Sequence, residues 1–390
     1  MPSAGKRTTA DSRLGGEGAT ILNEPIGWEM RGQGHQIFVD ELARFATSSA
    51  DQRVVAIAQR AAEPLRVAVR GRPGVGCRTV ARALQGAGSS SGMTVTPQAR
   101  AADSDVDLVV YVTVEVVKPE DREAIAATRR PVVAVLNKAD LAGPLSGAGP
   151  IVMAQARCAQ FSTLLGVPME SMIGLLAVAA LDDLDDTLRA ALRALAAHPD
   201  GFDALDRAVA GFLAAALPVP TEVRLRLLDT LDLFGIALGM AAFRPGRPSR
   251  TPAQLRTLLR RVSGVDAVID KVTAAGSEVR YRRLLDAVAE LEALAAQAKE
   301  IGGPIGEFLR DDDTVLARMA AAVDVALAVG LDVGPLDDPA AHLPRAVRWH
   351  RYSLDNGDMH RTCGADIARG SLRLWSLAGG MPLHRYRKSS

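Results

Sequence analysis

The residues best placed to do chemistry lie between Leu65 and Ala81, in the run Leu-Arg-Val-Ala-Val-Arg-Gly-Arg-Pro-Gly-Val-Gly-Cys-Arg-Thr-Val-Ala. This reads as a buried strand, a glycine-rich turn and the start of a helix. Backbone N–H groups at such a junction form a nest for a polyphosphate at the positive end of the helix. Gly71 and Gly76 keep the spacing of the phosphate-cradling pattern G-x-x-x-x-G-K-[ST]. The next two positions do not: Cys77 stands in the lysine slot and Arg78 in the hydroxyl slot, with Thr79 one step late. The candidate phosphate-binding residues are Gly71, Gly74, Gly76, Arg78 and Thr79. The turn keeps its backbone nest and lacks the cation that neutralises the β/γ-phosphates. A cysteine at a helix N-terminus can also carry a lowered pKa, although no histidine stands in any sequence relation to Cys77.

A second constellation closes the apolar run Pro131–Leu141, which ends in Asn137-Lys138-Ala139-Asp140. The Asp140 carboxylate can accept hydrogen bonds from a guanine N1–H and 2-amino group, a pairing adenine cannot offer. The Lys138 stem can pack over the nucleotide, and Asn137 can brace the loop. Set after a buried strand and about sixty residues beyond the glycine-rich turn, this motif resembles the N-K-x-D of the P-loop GTPases. That resemblance implies GTP or GDP as ligand and Asn137, Lys138 and Asp140 as the guanine-binding set.

Several parts of the GTPase pattern are missing. Val95-Thr96-Pro97-Gln98 falls in the Asp-x-x-Gly slot, with Val95 where the family positions magnesium and Gln98 where it meets the γ-phosphate. The interval before it is too short for a long switch loop with a magnesium-binding threonine. Magnesium is thereby left short of ligands. Ser171–Leu181 reads as the last strand, which makes Ala177 to Ala180 the candidate for the loop beside the guanine.

Composition narrows the classes. Of 390 residues, 48% are hydrophobic and only 4% aromatic, so the core must be Ala/Leu/Val, as in helix-rich packing. A net charge of +1 argues against a nucleic-acid partner. Three scattered cysteines make no disulfide framework. No apolar h-region opens the chain and no apolar run reaches bilayer length. The expected location is cytoplasmic, including the inner face of the plasma membrane as a peripheral protein.

Along the chain, residues 1–34 read as disordered and 35–62 as a helical lead-in broken near Ser48-Ser49. Residues 63–200 read as the GTPase-like domain, with strands at Met93–Gln98 and Asp107–Glu115 and helices at Pro119–Thr128 and Ala154–Leu165. Residues 201–345 read as a helical trunk with helices at Val223–Phe243, Thr251–Val262, Val265–Thr273, Ser277–Lys299 and Asp313–Val329. Residues 346–390 form a basic C-terminal segment. The expected fold class is α/β, a P-loop GTPase-like αβα sandwich followed by an all-α trunk.

The trunk carries a further resemblance. Leu227–Ile236, then Leu259-Arg260-Arg261-Val262-Ser263-Gly264, then Tyr281–Leu294 are similar to the trunk of actinobacterial dynamin-like GTPases of the isoniazid-inducible type, and Glu63–Val69 resembles the approach to their P-loop. The resemblance spans most of residues 63–300. It implies a membrane-remodelling context and assembly with itself or with a dynamin-like GTPase. The missing lysine and Asp-x-x-Gly imply a degenerate member with weak or no hydrolysis. The alternative is an active GTPase whose Arg78 and Thr79 serve in a shifted register.

Two further groups remain. His360-x-x-Cys363, with His350 and His384, lacks the rest of a zinc pattern, so no metal site is expected. The arginines and tryptophans from Arg345 to Lys388 suit either an anionic lipid surface or a terminal helix pair packing its tryptophans on the trunk.

Overall fold

The computed structural model describes residues 32–97, 106–144, 149–182, 184–244, 250–355 and 357–380. The expectations for most of residues 1–34, for Gln98 and for Arg385 to Lys388 lie outside the described residues.

Helices α1 (Gly34–Ser49) and α2 (Gln52–Ala61) precede the sheet. Asp51 caps α2 by accepting from the Arg53 N–H. Five strands follow: β1 (Leu65–Gly71), β2 (Met93–Pro97), β3 (Leu108–Val114), β4 (Val132–Asn137) and β5 (Met169–Ser171). All pair in parallel in the order β2-β1-β3-β4-β5, with Val67 opposite both Val95 and Leu108 and with Val110 opposite Val133. The chain is α/β, with a helical region after the sheet. Strands β3 and β4 are almost wholly buried, which is why they read as unbroken β-branched runs.

Helices α3 (Cys77–Ala87), α4 (Pro119–Ala126), α5 (Gly149–Leu165) and α6 (Gly174–Asp182) alternate with the strands. Val67, Val69, Val110 and Val135 share one core with α3, α6 and the start of a later long helix. On the opposite face Ala68, Val109 and Tyr111 pack with Ile125 of α4. Ala134 and Leu136 share a core with Ala154 and Cys158 of α5.

One strand expectation is corrected. The run Ser171–Leu181 is not a strand: β5 stops at Ser171, and Gly174–Asp182 is helix α6, with Ala177 and Ala179 buried in it. A continuous apolar run has no period to read, and Leu and Ala favour helix once a helical partner buries them.

Beyond the sheet come α7 (Asp186–Ala197), α8 (Ala208–Ala214), α9 (Thr221–Ala242), α10 (Pro252–Ser263) and α11 (Val265–Gln297), then α12 (Lys299–Arg310), α13 (Asp312–Ala328), α14 (Pro339–Asp355) and α15 (Asp358–Leu377). Thr251 and Gln254 form a capping box at the start of α10, and Gly264, at φ 74, ends it. Two helices expected at Val265–Thr273 and Ser277–Lys299 are one. Gly276 is not a break but a close approach, since a Cβ there would lie 2.5 Å from Leu65 Cδ2. Conversely, the expected helix Val223–Phe243 is interrupted inside α9 at Asp232, whose φ is 55 and ψ 178. The Asp232 carboxylate accepts from the Leu233 N–H at 2.7 Å, the local bond that lets aspartate hold such a backbone. Helix α12 gave no sequence signal, because its Gly302-Gly303-Pro304 reads as a turn.

α1 and α2 join the second half of α11 and α12, α13, α14 and α15 in a single helical core that includes Phe38, Leu42, Tyr281, Leu291, Ile305 and Trp349. Arg345 is buried there, bonded to Ser371 Oγ, the Pro335 carbonyl and His342. This part of the basic segment is therefore a packed helix pair. His360 meets the Tyr352 hydroxyl while the Cys363 thiol donates to the Ala322 carbonyl, so the two have separate partners. Among the described residues, no helix is long and apolar enough to cross a membrane.

Candidate functional site

In a doubly wound sheet of order 2-1-3-4-5, ligands sit outside the carboxyl ends of the strands, where the winding reverses between β1 and β3. The glycine-rich turn lies at that point, between the end of β1 and α3. Gly74 and Gly76 hold φ of 85 and 92, a left-handed backbone that glycine adopts without strain. Gly71 has no room for a side chain, because a Cβ would lie 2.4 Å from the Val112 carbonyl oxygen and 3.0 Å from Cys77 Sγ. A Cβ on Gly74 would meet nothing within 4 Å.

Asn137, at the end of β4, braces this turn. Its Nδ2 donates to the Val75 carbonyl at 2.8 Å, and its Oδ1 accepts from the Gly174 N–H at 3.0 Å. The side chain is buried and packs so close to Gly76 that a Cβ there would lie 2.5 Å from Nδ2. One residue thus joins the turn, the β4 loop and the N-terminus of α6. The β4 loop is itself tied to the segment that follows β5, since the Ala139 N–H donates to the Met172 carbonyl.

The other expected residues separate. Lys138 is exposed, in the left-handed conformation at φ 55. Asp140 is half-buried; burial pushes its carboxyl up, and the Asp232 carboxylate at the break in α9 pushes the same way. Arg78 is exposed on the first turn of α3. The Thr79 methyl lies 3.4 Å from where a Cβ on Gly174 would sit, so this residue packs against α6. Cys77 is half-buried, and burial pushes its thiol pKa up rather than down. That overturns the idea of an activated thiol in the nest. Ala177 to Ala180 lie within α6, and the segment that does follow β5 is Met172-Ile173-Gly174.

Sequence reasoning missed Asp121, on α4. This buried carboxylate accepts from Arg72 Nε at 2.8 Å, the Tyr111 hydroxyl at 3.0 Å and the Lys118 N–H at 2.9 Å. Burial raises its pKa, but the Arg72 guanidinium, the Lys118 N–H and the Tyr111 hydroxyl outweigh that and hold it below the usual carboxylate range. Arg72, the first side chain of the turn, is thereby committed to the fold. The signal available was positional: an acidic residue three places after Lys118, just inside a helix that opens with Pro119.

The trunk reaches this end of the sheet. The Ser263 carbonyl accepts from the Ile173 N–H at 2.8 Å, and a Cβ on Gly264 would lie 2.5 Å from the Ser171 carbonyl oxygen. The end of α10 and the start of α11 therefore sit against the chain at the end of β5.

No family model matches this chain, and no curated protein matches it. The arrangement itself offers a glycine-rich turn without a lysine, a braced loop that carries Asp140, and a helix that starts against the end of β5.

Proposed function

We propose that this chain is a degenerate dynamin-like GTPase, a structural or regulatory partner in membrane-associated assembly with weak or no GTP hydrolysis. The observation that carries the reading is Cys77. It occupies the lysine slot, is half-buried and lies against Gly71, so it offers no positive charge to a β/γ-phosphate. Charge stabilisation by that lysine and by magnesium supplies much of phosphoryl-transfer catalysis. The nest fits a phosphate only through its backbone, and Asp140 fits a guanine through its carboxylate. Arg72 cannot substitute for the lysine without giving up Asp121. GTP or GDP would then serve to set the shape of the loop. Assembly with a second copy or with an active dynamin-like GTPase at the inner face of the plasma membrane would carry the biological effect.

Calorimetric titration with GDP, GTP and ATP, with and without magnesium, tests this reading. Binding of GDP or GTP that ATP does not match, with no turnover, upholds it. Turnover that Arg78→Ala abolishes replaces it with an active enzyme in a shifted register. No heat with any nucleotide removes the nucleotide from the proposal.

A further inference from the structure

Arg345, on α14, is 3% exposed, and the groups that meet its guanidinium are all neutral. Its Nε donates to Ser371 Oγ at 2.8 Å, Nη1 to the Pro335 carbonyl at 2.5 Å and Nη2 to His342 Nδ1 at 2.9 Å. A guanidinium carries five N–H groups, so two are left without an acceptor. Among the described residues no carboxylate forms an ion pair with it. Other enclosed arginines of this fold are matched. Arg318 pairs with Asp366 at 2.8 Å, and Arg224 donates to the Phe212 and Ala215 carbonyls at the negative end of α8. A buried cation with neither kind of partner is costly, and an anion beside it would offset that cost.

There is room for one. A cleft of about 160 Å³ lies between α14 and residues 333–335 of the preceding loop, lined by Val333, Gly334, Pro335, Ala341, Pro344, Arg345 and Arg348. Every lining residue is apolar, glycine or arginine. Arg348 follows Arg345 by one turn of α14. Its Nη2 donates to the Asp332 carbonyl at 2.8 Å and would lie 3.7 Å from a Cβ on Gly334. Burial and then the Arg348 charge lower the Arg345 pKa, and Asp337, which is exposed, only partly offsets them. The loop's other carboxylates turn to backbone, Asp332 accepting from the Gly334 N–H and Asp338 from the Ala340 N–H. Paired guanidiniums grip a planar carboxylate through parallel N–H bonds. An inorganic phosphate would press its remaining oxygens against valine and proline, where they would go without donors.

We propose that this cleft binds a small organic carboxylate, with Arg345 and Arg348 holding the head group and Val333, Pro335, Ala341 and Pro344 enclosing a short apolar body. The site lies in the helical region and does not depend on nucleotide binding, so the two readings stand or fall separately.

Saturation-transfer NMR on the full chain, with butyrate titrated from about 0.1 to about 20 mM, tests it. The wild type should bind saturably with a Kd on the order of 1 mM. Arg348→Gln, at an exposed position, should weaken binding at least about tenfold and leave the thermal unfolding midpoint unchanged. Ala341→Phe should fill the cleft and abolish the signal; where it disturbs the fold, Arg348→Gln alone decides. No saturable signal with the wild type overturns the proposal. So does a signal that Arg348→Gln leaves unchanged, which would place butyrate elsewhere. An equal response to 1-butanol overturns it as well, since the cleft would then be selecting apolar bulk and not charge. Inorganic phosphate that displaces butyrate at a lower concentration overturns the carboxylate as the ligand class.

Discussion

The two ends of the parallel sheet are held in different ways. At the end where the strands begin, long-range bonds tie the sheet to α11. Arg283 donates to the Glu63 carbonyl and to Asp107, and Arg280 donates to the Ser91 carbonyl. Asp107 also accepts from the Arg66 N–H and guanidinium, so one buried carboxylate gathers β1, β3 and α11. At the end where the strands finish, the side-chain bonds stay among the strands, loops and helices of the sheet layer. Asn137 and Asp121 hold the glycine-rich turn from within the α/β layer, and Gly74, Arg78 and Lys138 remain exposed. The first end anchors the sheet and the second presents a surface. Burying a charge among its partners serves the anchor, because removing any partner leaves the others stranded. A presented loop needs a brace that fixes its backbone and leaves its outward groups free.

This contrast can be broken most forcefully at Asp107. Asp107→Ala strands the Arg283 guanidinium and should cost about 3–5 kcal/mol in chemical denaturation, with sheet and helical signals lost together. Asn137→Ala removes the brace at the other end. It leaves the Val75 carbonyl and the Gly174 N–H unsatisfied, for about 2–3 kcal/mol, and should abolish the guanine-nucleotide binding proposed above even where the protein remains folded. A loss at Asn137 that equals the loss at Asp107 would erase the distinction between anchor and presented surface.

The third test is set by pH, in the helical core near the anchoring end. Asp324 caps α1 by accepting from the Gly32 and Gly34 N–H groups, and burial pushes its carboxyl from 3.8 to about 6. His35, in the first turn of the same helix, is held down from 6.5 to about 4 by burial and by the Arg280 and Arg283 charges. The fold holds the Asp324 proton more tightly than the unfolded chain does, so acidification from about 6 towards 3.8 adds stability. His35 resists its proton, so acidification from 6.5 towards about 4 removes stability. The two oppose each other. Asp324→Asn deletes the gain and leaves the loss, and the variant should lose on the order of 3 kcal/mol more than the wild type between these limits. Denaturation midpoints across that range decide the matter, and parallel pH profiles would refute it.

Smallest in stability is Cys77→Lys, at the presented end. It should shift unfolding by less than about 1 kcal/mol and tighten GTP and GDP binding in calorimetry. A lysine there that leaves affinity unchanged would mean that the nest does not face a phosphate.

The glycine-rich turn and the β4 loop were legible in the sequence because their signals are local. Gly71, Gly74 and Gly76 have to be glycine for reasons of φ or space, and Asn137-Lys138-Ala139-Asp140 follows a buried run. The strand β3 was legible because Leu108–Val114 is β-branched and uninterrupted. What escaped depended on partners far along the chain. The helix α6 could not be told from a strand by period. Gly276 looked like a helix end until Leu65 explained it. The role of Asp121 needed Arg72, forty-nine residues earlier, to become visible.

Helix α11 begins against the end of β5, crosses the sheet, is pinned by Arg280 and Arg283, and ends among the bundle helices. In mechanical terms it is a lever with its fulcrum where the strands begin. At 1.5 Å per residue, its arms on either side of Arg280 are roughly 22 and 25 Å. Arms so nearly equal neither amplify nor damp a rotation. If the helix pivots there as a rigid rod, a displacement of the β5 end by about 1 Å would emerge at the far end of the bundle as about 1 Å in the opposite sense.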